Sequence, residues 1–219
     1  IVAATELPVN ADFGAGYADE PEGLAENVRR CVATGVAGLS IEDATGDVGE
    51  PLFEPGLAAA RVRAARAAID AVGGDVVLTA RAECFLVGRP DLDEAVRRLV
   101  AYAEAGADCL YAPGVKTREQ IAALVDAVAP KPVNVLVAAP IGLTLADLAA
   151  LGVRRVSVGS GLARAAWGGF LRAARDIAAA GRFDALAGAE PFAELNGFFE
   201  ADAARRVGVT SRTDRPRTR

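Results

Sequence analysis

Ala33-Thr34-Gly35-Val36-Ala37-Gly38-Leu39-Ser40-Ile41, Ala105-Gly106-Ala107-Asp108-Cys109-Leu110-Tyr111 and Leu151-Gly152-Val153-Arg154-Arg155-Val156-Ser157-Val158 are three renderings of one phrase. Each passes from small residues through a glycine into a mainly apolar stretch. The small residues close a helix, the glycine suits the positive φ of a helix C-cap, and the apolar residues begin a strand. Gly106 and Gly152 stand 46 residues apart, which is two strand–helix units of 23. Units of that length joined head to tail imply a parallel sheet with helical crossovers.

Outward from the phrase, six strands are predicted at 7–13, 38–42, 76–82, 109–113, 133–138 and 156–159. Their apolar runs read as nearly continuous, the pattern of strands covered on both faces. Between them lies a helix at 91–105, with Leu92, Ala95, Val96, Leu99, Val100 and Ala103 on one stripe. Shorter helices are expected at 117–128 and 144–151, where Thr117 and Thr144 stand at the N-cap. A further helix at 164–180 follows the last strand.

Six strands do not close a barrel, and the chain starts at Ile1 inside what reads as a helix end and contains no Met. The expected fold is therefore α/β, a parallel (β/α)8 TIM-type barrel with six βα units visible and about two missing at the N-terminus. An open doubly wound sheet is the competing account. It should carry a glycine-rich phosphate loop early in the chain, and Asp12-Phe13-Gly14-Ala15-Gly16-Tyr17 offers only a pair of glycines. The organisation expected is a barrel over 1–183, a helical extension over 184–204, and a basic, disordered tail over 205–219.

A chain of 219 residues can form one large core, since such barrels run to about 250. At 52% hydrophobic and 5% aromatic, it suits tightly packed helices on a buried sheet. A net charge of −5 without a basic, aromatic-interleaved stripe argues against nucleic acid as a partner. Residues 201–219 hold six Arg against two Asp, so the remainder is the more acidic. There is no His, which excludes His general bases, Ser-His-Asp triads and His-bound zinc. Cys31, Cys84 and Cys109 lack metal-ligand spacing, and neither a signal peptide nor a membrane-length apolar run is seen. A reducing cytoplasm is the default expectation, with no membrane partner.

In parallel barrels the working residues project from the C-terminal strand ends. Those ends read Asn10-Ala11-Asp12, Ile41-Glu42-Asp43 and Ala80-Arg81-Ala82-Glu83, then Pro113-Gly114, Asn134 and Ser157 to Ser160. Two carboxylates at adjacent tips, with an arginine at the next, suit a hard cation beside an anion clamp. Mg²⁺ prefers carboxylate oxygens and retains waters, and Arg can hold a carboxylate with its planar fork. A single acidic strand end is ordinarily a solvated or capping group; three charged tips in succession are harder to explain that way. Gly159 and Gly161 near Ser157 and Ser160 resemble a phosphate-cradling turn before a helix, with a plain βα turn the favoured reading.

These segments carry a resemblance. Val9-Asn10-Ala11-Asp12-Phe13-Gly14-Ala15-Gly16-Tyr17, Ser40-Ile41-Glu42-Asp43 and Thr79-Ala80-Arg81-Ala82-Glu83 resemble, in order and spacing, motifs of the isocitrate lyase and phosphoenolpyruvate mutase superfamily. The likeness runs from about Leu7 to Phe199. It implies Asp12 as direct Mg²⁺ ligand (Mn²⁺ being an alternative), Glu42 as a further metal-associated and catalytic residue, and Arg81 as the catalytic contact to substrate. Asn134 and Tyr17 join Arg81 as expected substrate-binding residues. Gly14 stands where the family often has a second acidic residue, and Ala82 replaces the usual Thr. The loop 43–55 would be a mobile gate. It reads Ala44-Thr45-Gly46-Asp47-Val48-Gly49-Glu50-Pro51-Leu52-Phe53-Glu54, without the Cys, Lys or His that isocitrate-cleaving members carry.

The function so implied is a Mg²⁺-dependent carbon–carbon lyase or decarboxylase for a small 2-oxo or 2-hydroxy acid, oxaloacetate-like, acting through an enolate-type intermediate. The alternatives are phosphoenolpyruvate or phosphonopyruvate chemistry, and a non-catalytic dicarboxylate-binding barrel. Leu186, Phe192, Leu195, Phe198 and Phe199 are too apolar for a solvated tail. With the resemblance, they imply a homo-oligomer, dimer or tetramer, that exchanges its C-terminal helix.

Overall fold

The computed structural model describes residues 1–213. Six strands form one parallel sheet: β1 (Asn10–Asp12), β2 (Gly38–Glu42), β3 (Val77–Arg81), β4 (Cys109–Tyr111), β5 (Val133–Leu136) and β6 (Arg155–Ser157). Their spatial order is their chain order, so every crossover steps the same way. A doubly wound sheet would reverse direction at a switch point. This one does not, which removes the open-sheet account.

The sheet also curls. Arg155 Nη1 on β6 donates to Thr79 Oγ1 on β3 at 2.9 Å, with β4 and β5 lying between. In a flat sheet three strand spacings of about 4.8 Å would part β3 and β6 by about 14 Å. An Arg and a Thr side chain together do not span that. The parallel α/β fold thus contains a curled six-stranded sheet of barrel topology.

The expectation of apolar strands on both faces is corrected. The register pairs Asp12 with Ser40, Ser40 with Thr79, Thr79 with Cys109, Glu42 with Arg81, Arg81 with Tyr111, Tyr111 with Asn134, and Asn134 with Arg155. Paired residues of a sheet share a face, so this whole set lines one face, the concave one that Arg155 crosses. Leu39, Ile41, Leu78, Ala80, Leu110, Val133 and Val135 take the other face and enter the core. Short strands disguised the two-residue period, because apolar Ala, Val and Leu flank each polar position.

Helices α1 (Pro21–Val32), α2 (Pro55–Val72), α3 (Leu92–Glu104), α4 (Arg118–Val128) and α5 (Leu145–Ala150) follow the first five strands. The core forms where their apolar stripes meet the sheet, with Leu24, Ile69, Leu99, Leu124 and Leu148 essentially inaccessible. Thr117 and Thr144 form capping boxes with Gln120 and Asp147, as their positions predicted. Asp91 caps α3 by accepting from Glu94 N at 2.9 Å. Gly35, Gly106 and Gly152 of the repeated phrase have φ of 85°, 103° and 91°, a region costly for any side chain. Asp108 of the same phrase accepts from Leu78 N at 2.8 Å and pairs with Arg66 at 2.8 Å, tying the start of β3 to α2.

The chain divides into two compact units, Ile1–Leu162 and Ala163–Arg219. The second holds most of α6 (Gly161–Ala180), a short 3-10 helix at Asp184–Gly188, and α7 (Phe192–Thr213). Trp167, Phe170, Phe183, Phe192, Phe198 and Phe199 are exposed on it. Of the tail expected over 205–219, α7 continues through Thr213, and 214–219 lie outside the described residues. Among the described residues no helix is long and apolar enough to cross a membrane.

Candidate active site

β2 and β3 end level with each other and β1 stops two residues short of β2, opposite Ser40, yet the polar side chains at the three ends meet. Arg81 Nη1 lies 3.1 Å from Asp12 Oδ1 and 2.6 Å from Glu42 Oε1, while its Nε lies 2.7 Å from Glu83 Oε1. One guanidinium is therefore ringed by three carboxylates, of graded exposure: the Asp12 side chain is 80% exposed, Glu42 20% and Glu83 5%. The Arg81 guanidinium also faces the Tyr111 ring, 5.0 Å from its centroid, a cation–π contact that holds its plane.

The charges are unbalanced. Burial pushes the Glu83 carboxyl up to about 7, against the pull of Arg81 and with the push of Glu42. Burial likewise raises Glu42, opposed by Arg81 and reinforced by the neighbouring Asp12 carboxylate. Ionised together, three carboxylates and one guanidinium carry a net −2, which a divalent cation would offset.

That supplies a test of fit for Mg²⁺. Among the described residues no three His, Cys, Asp or Glu side chains converge as a complete metal cage. Mg²⁺ does not require one, since it keeps several waters and uses one or two carboxylates. Asp12 and Glu42 both reach Arg81 Nη1 and also interact with each other, so the two carboxylates lie close enough to serve one cation beside Arg81. The residues present fit.

Other expected site residues lie elsewhere. Asn134 is on the same sheet face two strands from Arg81, with Nδ2 donating to Ser157 Oγ at 3.0 Å. It is buried, and its Oδ1 has no protein partner. Tyr17 packs edge-to-face on Phe13 at 5.2 Å. With Val9, Ala11 and Phe13 it lines an apolar groove, on the side of β1 opposite Asp12. It is a non-glycine residue at φ 57°, held by Asn27 Nδ2, which donates to the Gly16 and Tyr17 carbonyls. The geometry thus unites Asp12, Glu42 and Arg81 and keeps Tyr17 apart. Cys84 is buried, and burial pushes its thiol up to about 11, leaving little thiolate for chemistry.

Glu83 and Tyr111 were not among the expected site residues: Glu83 follows from period-two alternation beyond Arg81, whereas Tyr111 joins through the register that sets it between Arg81 and Asn134. Arg98 and Tyr102 were also missed. Both are buried on α3, and an Arg beside Ala95 and Leu99 on an apolar stripe was the available signal.

Fold and strand-end chemistry define the class: a parallel α/β protein of barrel topology whose site combines carboxylates with one arginine at the C-terminal strand ends. The chain belongs to the phosphoenolpyruvate phosphomutase family, which it matches over residues 1–178. A Burkholderia cenocepacia J2315 protein, provisionally named a lyase/mutase, is 47% identical, with a TM-score of 0.85 over 91% of this chain and 72% of that one. Phosphonopyruvate hydrolase, solved with oxalate and Mg²⁺, is 29% identical, with a TM-score of 0.75 over 94% of this chain and 72% of that one. Oxaloacetate decarboxylase from Rhodopseudomonas palustris (strain BisB5) is 37% identical over 134 residues, 57% of this chain and 43% of that protein. The chain spans about half the length of the curated relatives it matches.

Proposed function

We propose that this chain carries the carboxylate–arginine site of a Mg²⁺-dependent carbon–carbon lyase or decarboxylase for small 2-oxo or 2-hydroxy acids of the oxaloacetate type. The observation that carries the reading is the ring of Asp12, Glu42 and Glu83 about Arg81. Asp12 and Glu42 would hold the cation, which when bound supplies Lewis acidity toward the 2-oxo oxygen. Arg81, relieved of part of its pairing, presents a fork to the substrate carboxylate and to the charge of an enolate-type intermediate. Glu83, its carboxyl near 7, can hold or release a proton beside Arg81 at neutral pH. The gate loop offers no Cys, Lys or His for that task.

Support comes from the decarboxylase relative and from the oxalate and Mg²⁺ bound by phosphonopyruvate hydrolase. The latter also favours a second reading, P–C bond chemistry on phosphonopyruvate-like compounds. Release of pyruvate from oxaloacetate, above the Mg²⁺ background and lost in Arg81→Lys, is the expected result. Turnover of phosphonopyruvate instead selects the second reading. Stabilisation by oxalate without any turnover would mean a binding protein. Exposed aromatics on the second unit support a homo-oligomer as part of this proposal.

A further inference from the structure

Beneath the site lies a second set of polar side chains that touches no expected ligand. Asp43 directly follows Glu42, yet its carboxylate points into the protein: Asp43 is 3% exposed, Arg98 5% and Tyr102 1%. Asp43 Oδ1 accepts from Glu83 N at 2.8 Å. Its Oδ2 accepts from the Tyr102 hydroxyl at 2.5 Å and from Arg98 Nη1 at 3.1 Å. Arg98 Nη1 also donates to the Phe53 carbonyl at 2.9 Å, and its Nε to Glu94 at 2.7 Å.

These contacts join three parts of the mouth. Through Glu83 N, Asp43 fixes the backbone two residues beyond Arg81, so the ends of β2 and β3 stay in register past their last paired residues. Phe53 N donates to Asp43 O at 2.9 Å, and Ala44 bridges to Leu52, so the loop closes on Asp43. Phe53 is gripped again from α2, where the Arg61 guanidinium lies 4.1 Å from its ring centroid. Arg61 in turn donates to the carbonyls of Ala15, Ala18 and Asp19 in the loop after Asp12. Two buried arginines on successive helices thus tie the β1 loop, the β2 loop and the β3 end together.

We propose that Asp43, Arg98 and Tyr102, with Arg61 as a second clamp, are positioning residues that hold Asp12, Glu42 and Arg81 in ligand-binding alignment. This rests on the reading of those three as the ligand site. Buried polar groups are costly unless satisfied; the Asp43 carboxylate has a partner at each oxygen, whereas the buried Arg61 Nε has none. A change of about 1 Å in the β3 end would misplace Arg81 from a carboxylate it must meet with two donors.

The test uses Tyr102→Phe, which deletes one hydroxyl, together with Arg98→Met and Arg98→Lys. Oxalate affinity in Mg²⁺ is measured by calorimetry well below each melting temperature. There a merely structural lesion leaves Kd unmoved, because essentially all molecules are folded. The expected result is about 3–10-fold weaker oxalate for Tyr102→Phe, more than tenfold for Arg98→Met, and partial recovery in Arg98→Lys. Hydrogen exchange should quicken at 44–53 and at Glu83 while other segments keep their protection. Folded variants with parental oxalate affinity overturn the proposal. If the parent itself fails to bind oxalate, the ligand-site reading falls. The network is then judged on exchange alone: unchanged or uniformly faster exchange overturns it.

Discussion

Replacing Asp12 by Ala removes one of the two carboxylates that share Arg81 Nη1 and separates a cation site from a structural ion pair. The Asp12 side chain is 80% exposed and sits 3.1 Å from Arg81, an ion pair whose loss costs about 0–1 kcal/mol. The substitution also removes the Asp12 contribution to the raised Glu42 carboxyl, the larger part of which comes from burial. The two effects oppose each other. In a chain of this size 1 kcal/mol shifts Tm by about 2–4 °C, so the metal-free variant should melt within that interval of the parent. With Mg²⁺ at a hundredfold excess over Kd the parent gains about 2.7 kcal/mol, or roughly 5–10 °C. If the variant binds about a hundredfold more weakly, the same concentration contributes only about 0.4 kcal/mol. Differential scanning fluorimetry with and without Mg²⁺ reads both quantities. An undiminished Mg²⁺-dependent rise in the variant would refute the ligand assignment, and a large metal-free loss would make Asp12 a structural residue.

Glu83 should leave a mark on stability against pH. Its folded pKa of about 7 lies above the ordinary 4.5, so its stabilising contribution is complete below about 4.5 and is lost as pH rises through 7, by at most about 3 kcal/mol. Glu83→Gln should therefore match the parent near pH 4.5 and exceed it near pH 8 in urea unfolding; parallel curves would contradict this. In the loop over 43–55, the Thr45 and Phe53 amides, bonded to Pro51 O and Asp43 O, should exchange slowly even without ligand. Ligand-dependent change should be confined to the tip near Val48, which is 97% exposed. Light scattering should give a mass above the monomer for the intact chain and the monomer mass after truncation at Arg182. A monomeric intact chain would dispose of the helix-exchange proposal.

The loop shows where the sequence reading stopped. The resemblance implies a mobile gate over 43–55. The Ala44–Leu52 bridge and the Arg98–Phe53 bond show a closed neck. Nothing local distinguishes a Gly-rich loop that is pinned from one that is free, because the pinning groups come from α3, about 45 residues away in the chain.

The parallel α/β plan, the helix starts at Thr117 and Thr144, the glycines that close helices, and the charged strand tips are all legible in the residues alone. Each depends on short-range rules: a capping hydroxyl three residues from its amide, a positive φ that glycine tolerates, a strand that ends where polar residues begin. Which tips meet is set by the folded sheet. Asp12, Glu42 and Arg81 converge because register sets Glu42 beside Arg81 and curvature turns one face inward. Tyr17, only five residues from Asp12, is carried to the opposite face by a loop with positive φ at Gly14, Gly16 and Tyr17. Side-chain direction in a loop depends on dihedrals that residue type permits without dictating. The pairing of Asp43 with Arg98 and Tyr102 spans 55 and 59 residues, and sets the alignment of the site through contacts that exist only once the sheet has formed.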